Sequence, residues 1–409
     1  MAEQGFYVGI DIDDTYAVVS FYEDGMKEPA TVSMKTGAEV FQIPLQIRKH
    51  QEEEQWLIGE DSSDETDLDN TIVIENLLSR AKDMENISID GEQYQAFDLL
   101  TFFIKKLLNY ISGPYGAVHI NGLAFSVEKL DKQLVKLFWS VGEALGMKKE
   151  QIALLDRKSA FYYFALSQPK ELWAQNVFLF DYKEDGVYGF CLKRKQNTSP
   201  QRVTIEESYF EGNYENQDAT FYQALEQLFD GQMVSSAYLV GNGFDGGWMK
   251  QSLNYLCRGR RAFAGKNLYA KGACYGVMVM QGKKVWPYIY IGDNELKVNV
   301  SLAVRNRGQK ELVTLLRAGE NWYEASGSCD VILDDTKEIA IWLQEPDAKT
   351  ANVEKLTLSD LPERENRTIR LRISVKPLSD KQVRIEMKDM GFGELVKAKD
   401  KHWEYIMSI

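Results

Sequence analysis

The chain has 409 residues, 44% of them hydrophobic and 27% charged, with a formal net charge of −13. That length has room for roughly two to four domains with sizeable cores, and the acidic balance excludes phosphate-backbone binding as a main task, so no nucleic-acid partner is expected. The N-terminus is polar within a few residues and no apolar run approaches roughly eighteen, so neither signal peptide nor membrane span is expected and the cytoplasm is the default.

The first pattern is Tyr7-Val8-Gly9-Ile10-Asp11, a turn through Asp13, Asp14 and Thr15, and a returning run Ala17–Phe21. An apolar run, a tight turn and a second β-rich run predict a hairpin with an aspartate at the end of its first strand. Short strands follow around Val40–Ile47, interrupted by Pro44, and at Trp56–Gly59; residues 60–70 read as an acidic solvated loop or helix start. Residues 94–111 place Phe97, Leu100, Phe103, Ile104, Leu107 and Leu108 at helical spacing. His119–Val127 reads as a strand meeting a helix at Ser126, which ends at Gly146, and a further helix runs from Arg157 to Leu166.

The pattern then restarts. Asn176–Asp181 is an apolar strand ending in an aspartate, followed by a turn and the strand Val187–Leu192. This weak internal duplication would set Asp11 and Asp181 facing each other across a cleft. A helix at Ala219–Phe229, a strand at Ala237–Val240 and a Gly-rich turn, Gly241–Gly247, come next. That turn suits close packing as well as a small ligand. Beyond an apolar connector at 283–293, alternating runs at Leu296–Val304, Glu311–Leu316, Ile339–Leu343, Thr368–Val375 and Val383–Met387 predict an antiparallel β-sandwich. The four cysteines (Cys191, Cys257, Cys274, Cys329) are widely spaced and read as buried reduced thiols. The basic run Arg258-Gly259-Arg260-Arg261 reads as a solvated surface, Phe161–Phe164 as core, and His50, His119 and His402 are too scattered for metal or acid–base chemistry.

The order of motifs resembles the seventy-kilodalton heat-shock chaperones (DnaK-like proteins) over nearly the whole chain. Gly9-Ile10-Asp11 is similar to that family's first phosphate motif, and Phe178–Phe190 stands at the second. Leu239–Gly243 resembles its adenosine motif, Ala270–Gly276 the helix that follows, Ser301–Val304 the start of its peptide-binding β-domain, and Lys388–Gly393 a turn near that domain's end. The resemblance implies a two-lobed α/β actin-like ATPase domain (ribonuclease H-like, duplicated) with a reduced second lobe, followed by an all-β sandwich. Residues 1–282 would form the nucleotide-binding-like domain, with lobes at about 1–165 and 170–282, 283–293 a linker, and 294–409 the sandwich. It further implies ATP or ADP with Mg2+ as cofactors, Asp11 and Asp181 as the magnesium-holding pair, and Thr15, Gly241, Asn242 and Gly243 as nucleotide contacts. Asp156 stands at the position of a catalytic glutamate. Trp322 and Tyr323 would rim a cleft for an extended peptide added as a strand, or else fill the sandwich core.

The departures fall on the chemistry. Asp13 and Asp14 replace a glycine and a threonine, Lys183-Glu184-Asp185 replaces glycines, Tyr188 replaces an aspartate, Glu75 stands at a catalytic lysine, and Arg157 replaces a proline that couples the domains. Side chains at such glycines block the close approach of backbone N–H groups to phosphates. Added carboxylates repel polyphosphate by roughly 4 kcal/mol per charge pair at ~4 Å and an effective dielectric of ~20, before screening. ATP hydrolysis is therefore not expected, and no cofactor is favoured. The leading expectation is a non-hydrolysing, chaperone-like protein binding a peptide or protein partner. The alternatives are a weak ATP-dependent chaperone, then a small-molecule kinase or an actin-like filament protein.

Overall fold

The computed structural model describes residues 5–35, 37–50, 56–59, 71–112, 119–197, 200–212, 216–346, 348–393, 396–399 and 401–409. The acidic stretch 60–70 lies outside them. The chain is mixed α/β with a β-rich end, and it divides into two compact units, Met1–Tyr288 and Ile289–Ile409.

The first unit is built mainly on two six-stranded sheets, beside a three-stranded and a two-stranded one. In one of the larger sheets, β1 (Phe6–Ile12) pairs antiparallel with β2 (Tyr16–Tyr22) and parallel with Ile120–Val127, which pairs in turn with Ile152–Asp156. Strands with neighbours on both sides and both faces covered read as continuous apolar runs, and Val8, Ile10 and Ile12 are fully buried. The other sheet repeats the order: Asn176–Tyr182 pairs antiparallel with Gly186–Lys195 and parallel with Val234–Val240, which carries Arg261–Ala264 on its far side. The duplication expected from the two aspartate-ended strands is thus present in the strand order of both sheets.

Seven helices of the described residues cover these sheets: α1 (Leu77–Lys82), α2 (Ala96–Ser112), α3 (Lys132–Ala144), α4 (Arg157–Ser167), α5 (Gln217–Phe229), α6 (Gln251–Leu256) and α7 (Leu268–Met280). The strand before α3 runs through Val127, and the helix starts only after Asp131, whose carboxylate accepts the Gln133 and Leu134 N–H groups. Pairing with two neighbours extends that strand past Ser126, where the helix was expected to begin. Helix α7 crosses α4 and β1 at close range. A Cβ at Gly272 would lie 2.0 Å from the Ala160 carbonyl oxygen, and one at Gly9 2.3 Å from that of Ala270. Gly9 is therefore a packing glycine, placed against a helix backbone.

Several strands escaped the sequence pattern. Gln201–Glu211 pairs along its length with Gly186–Lys195, although its side chains are mostly polar and exposed residues occur on both of its faces. Arg261–Ala264 forms an edge strand that begins at the last residue of the run read as a solvated basic surface. In the second unit, Gly327–Ile332, Asn352–Thr357 and His402–Ser408 join the expected strands to give two antiparallel sheets. Each contributes alternate side chains to one face, and the shared core holds Val300, Ile341, Leu371, Ile373, Val383, Ile385 and Met387, all essentially inaccessible. No helix of the described residues is long and apolar enough to cross a membrane.

Candidate functional site

Asp11 is held near the end of β1 by its register partners Ser126 and Val18 and is buried. Two strands away, Ile152–Asp156 turns into α4, and the first helical residue is Arg157. Its side chain reaches back to the hairpin. Nε donates to Asp11 Oδ1 at 3.0 Å, and Nη2 to Asp11 Oδ2 at 2.9 Å, to Asp13 Oδ2 at 2.9 Å and to the Tyr16 hydroxyl at 3.3 Å. The guanidinium also lies 5.9 Å from the Tyr16 ring centroid and 5.2 Å from that of Tyr269. A buried cation thus sits on the carboxylate that was expected to hold magnesium.

The electrostatics follow from burial and this fork. Burial pushes the Asp11 carboxyl above its ordinary range, while the Arg157 charge pulls the other way. Burial likewise works against the charged form of Arg157, yet Asp11 holds the guanidinium well above its usual value. For Asp13, burial raises the pKa, but Arg157 and the Thr15 hydroxyl and N–H together bring it below the usual carboxylate value.

The added turn carboxylates are engaged within the protein. Asp13 Oδ1 accepts the Thr15 N–H, the Thr15 hydroxyl and the Tyr16 N–H at 2.9, 2.6 and 3.1 Å. Thr15, expected as a nucleotide contact, spends both donors there. Asp14 accepts the Ser79 N–H at 2.8 Å and the Ser79 hydroxyl, tying the turn to α1. Asp13 shares the single Arg157 charge with Asp11, and each turn aspartate fills backbone donors that an anion would otherwise take. Glu75 is exposed, immediately before the turn into α1.

Asp156 caps α4, accepting the Ser159 N–H at 2.6 Å, which satisfies an orphan helix donor. In the second sheet Asp181 is buried and accepts the Tyr269 hydroxyl at 3.1 Å; burial raises its pKa against the pull of Arg157. The two aspartates are brought together through Arg157 and Tyr269. The glycine turn is packed from within. Gly241 has φ +94°, and a Cβ there would meet the Tyr182 carbonyl at 2.4 Å; a Cβ at Gly243 would meet the Tyr182 ring at 2.4 Å. That buried ring packs edge-on to Phe244 and Trp248, while Asn242 is exposed. Lys183 bridges to Glu128 at 2.6 Å, and the Tyr188 hydroxyl bonds Asp185.

In the second unit Trp322 is partly buried against the sandwich core, with its backbone N–H on the Asn294 carbonyl and its ring edge-on to half-buried Tyr323 at 5.7 Å. The sheet also brings exposed His402 beside exposed Glu386 and Glu404, a neighbourhood that only strand register creates. Arg384 Nε lies 3.1 Å from Glu404 in the same patch. Cys257 is exposed and Cys329 half-buried, so the reading of four buried thiols holds for Cys191 and Cys274 alone. Arg157 and Tyr269 were missed as site residues. A lone arginine replacing a proline was the available signal, and nothing in sequence spacing placed it on Asp11.

A family model described as a family of unknown function (DUF5716), C-terminal, matches residues 28–293. A second, described as a domain of unknown function (DUF8552), matches residues 295–409. No curated protein matches the chain.

Proposed function

We propose that this chain, which belongs to the DUF5716 C-terminal family, is a non-hydrolysing, chaperone-like binding protein, an actin-like scaffold whose nucleotide site has been closed by its own side chains. The observation that carries this reading is the Arg157 guanidinium forked on Asp11 and shared with Asp13. A tethered cation there takes the place a hydrated divalent metal would need, and it cannot leave. The Tyr182 ring against Gly243 and the self-filled turn donors remove the room and the N–H groups a polyphosphate would use.

The sandwich is the part suited to a peptide or protein partner. Gln309–Leu316 and Asn352–Thr357 are the edge strands of one sheet, and Gly327–Ile332 and His402–Ser408 of the other. Such edges accept an added strand, and Trp322 with Tyr323 offers aromatic surface in the same unit.

Calorimetric titration with ATP and ADP, each with Mg2+, tests the closed site. The expected result is no heat of binding and no shift in melting temperature at millimolar nucleotide. Saturable binding with magnesium-dependent phosphate release would overturn it.

A further inference from the structure

The described residues also line a half-open pocket of about 300 Å³, bordered by the ends of Val234–Val240 and Arg261–Ala264, the end of α4 and the start of α7. Its size falls at the lower end of small-ligand sites. The walls are aromatic: Phe164 packs edge-on to Tyr238 at 5.3 Å, and Tyr238 stacks on Phe263 at 5.2 Å. The polar lining residues are Glu28, Gln168 and Asn267. Each amide spends one of its two N–H groups within the protein. Gln168 Nε2 donates to the Phe164 carbonyl at 3.2 Å, and Asn267 Nδ2 to the Thr31 hydroxyl at 3.0 Å. Their side-chain oxygens and the Glu28 carboxylate are the acceptors these lining residues offer a guest.

Aromatic faces attract a cation through the ring quadrupole, and carboxylate and amide oxygens accept its N–H groups. A carboxylate or phosphate guest would instead meet the like charge of Glu28. We propose that this pocket binds a small organic cation, an amine carried on a compact apolar or aromatic body, with Glu28 receiving the ammonium and Tyr238 and Phe263 covering the body. Lys271 stands 3.6 Å from Glu28, a loose ion pair that such a ligand would displace. The site is separate from the Arg157 cluster, and its occupancy does not depend on whether nucleotide binds.

The test is isothermal titration of the full chain at neutral pH with phenethylamine and, as an anion of similar size, phenylacetate. Saturable one-site binding of phenethylamine is expected, with none for phenylacetate. Glu28→Gln should weaken the amine by about tenfold or more, and Phe263→Ala, at a partly exposed ring, by several-fold. Lys271→Met should tighten it, since Glu28 is then released from its internal partner. Unchanged thermal melting of each variant shows that the fold is retained. Absence of saturable phenethylamine binding, equal affinity for phenylacetate, or affinities unmoved by both Glu28→Gln and Phe263→Ala would overturn the assignment.

Discussion

Arg157 concentrates the chemistry of the first unit in one side chain. Its charge is shared between Asp11, which is buried, and Asp13, which is half-buried. Removing one partner of such a group leaves an uncompensated buried charge, a loss of about 3–5 kcal/mol. Arg157→Leu should therefore lower unfolding free energy by that order in urea titration, and Asp11→Leu in the Arg157→Leu background should recover part of it. Additive losses in this cycle would mean the fork contributes no coupling. Asp218 is a second residue of this kind, accepting the Lys250, Gln251 and Ser252 N–H groups at 3.0, 2.8 and 2.9 Å. Those bonds overcome its partial burial and bring its pKa to about 2. Asp218→Ala should cost about 1–2 kcal/mol as a lost helix cap, read by the same titration. Asp11 and Asp181 were legible in the sequence because an aspartate ending an apolar strand is a local pattern. Arg157 on Asp11 was not, because the contact spans 146 positions and depends on the register of three adjacent strands.

At the scale of elements, the crossing of α4 and α7 is the tightest in the first unit. Gly272 lets α7 approach the Ala160 carbonyl, and Gly276 makes room for Leu155 and Tyr163. Gly272→Ala places a methyl 2.0 Å from a backbone oxygen, which no side-chain rotation relieves. A loss of about 1–3 kcal/mol, or failure to fold, is expected from such overpacking, whereas Gly146→Ala meets open space and costs only its left-handed backbone. Comparative melting of the two variants separates these cases, and equal stability would contradict the crossing. Helices α2 and α3 were readable from their periodicity, since each buries one apolar stripe. The strand Gln201–Glu211 was not, because its exposed polar residues fall on both faces and resemble a loop until a partner strand is present.

Over the whole molecule, both units hold carboxylates whose loss of charge in acid costs stability, Asp13 and Asp218 in the first among them. In the second, Asp389 is fully buried; burial opposes its ionisation, but the Arg364 fork at 3.0 and 2.7 Å and the Gly391 and Lys399 N–H groups hold its pKa below the usual value. Arg372 and Arg370 bring Asp330 to about 2. Both folded-state values lie below the unfolded carboxylate value, so their stabilisation is present above about pH 4 and is lost as pH falls toward 2. Raised carboxylates act oppositely, and burial places Asp11 and Asp181 of the first unit in that class. Calorimetric unfolding of the full chain between pH 5 and 2 should show the transition of the sandwich falling with acid, and Asp330→Asn should flatten that fall. A variant with the wild-type slope would remove Asp330 from the account.

The sequence by itself determined the elements whose cause is local. These are the two aspartate-ended hairpins, the amphipathic helices and the alternating strands of the sandwich. Tertiary structure alone decided how the polar groups of those hairpins and turns are engaged. It set Arg157 on Asp11 and Asp13, Tyr269 on Asp181 and Tyr182 against Gly243, and it formed the pocket beside Tyr238. Each of these contacts joins residues that periodicity leaves unrelated. Only strand register, helix crossing and the exclusion of water from between them bring the groups within hydrogen-bond or ring-contact range.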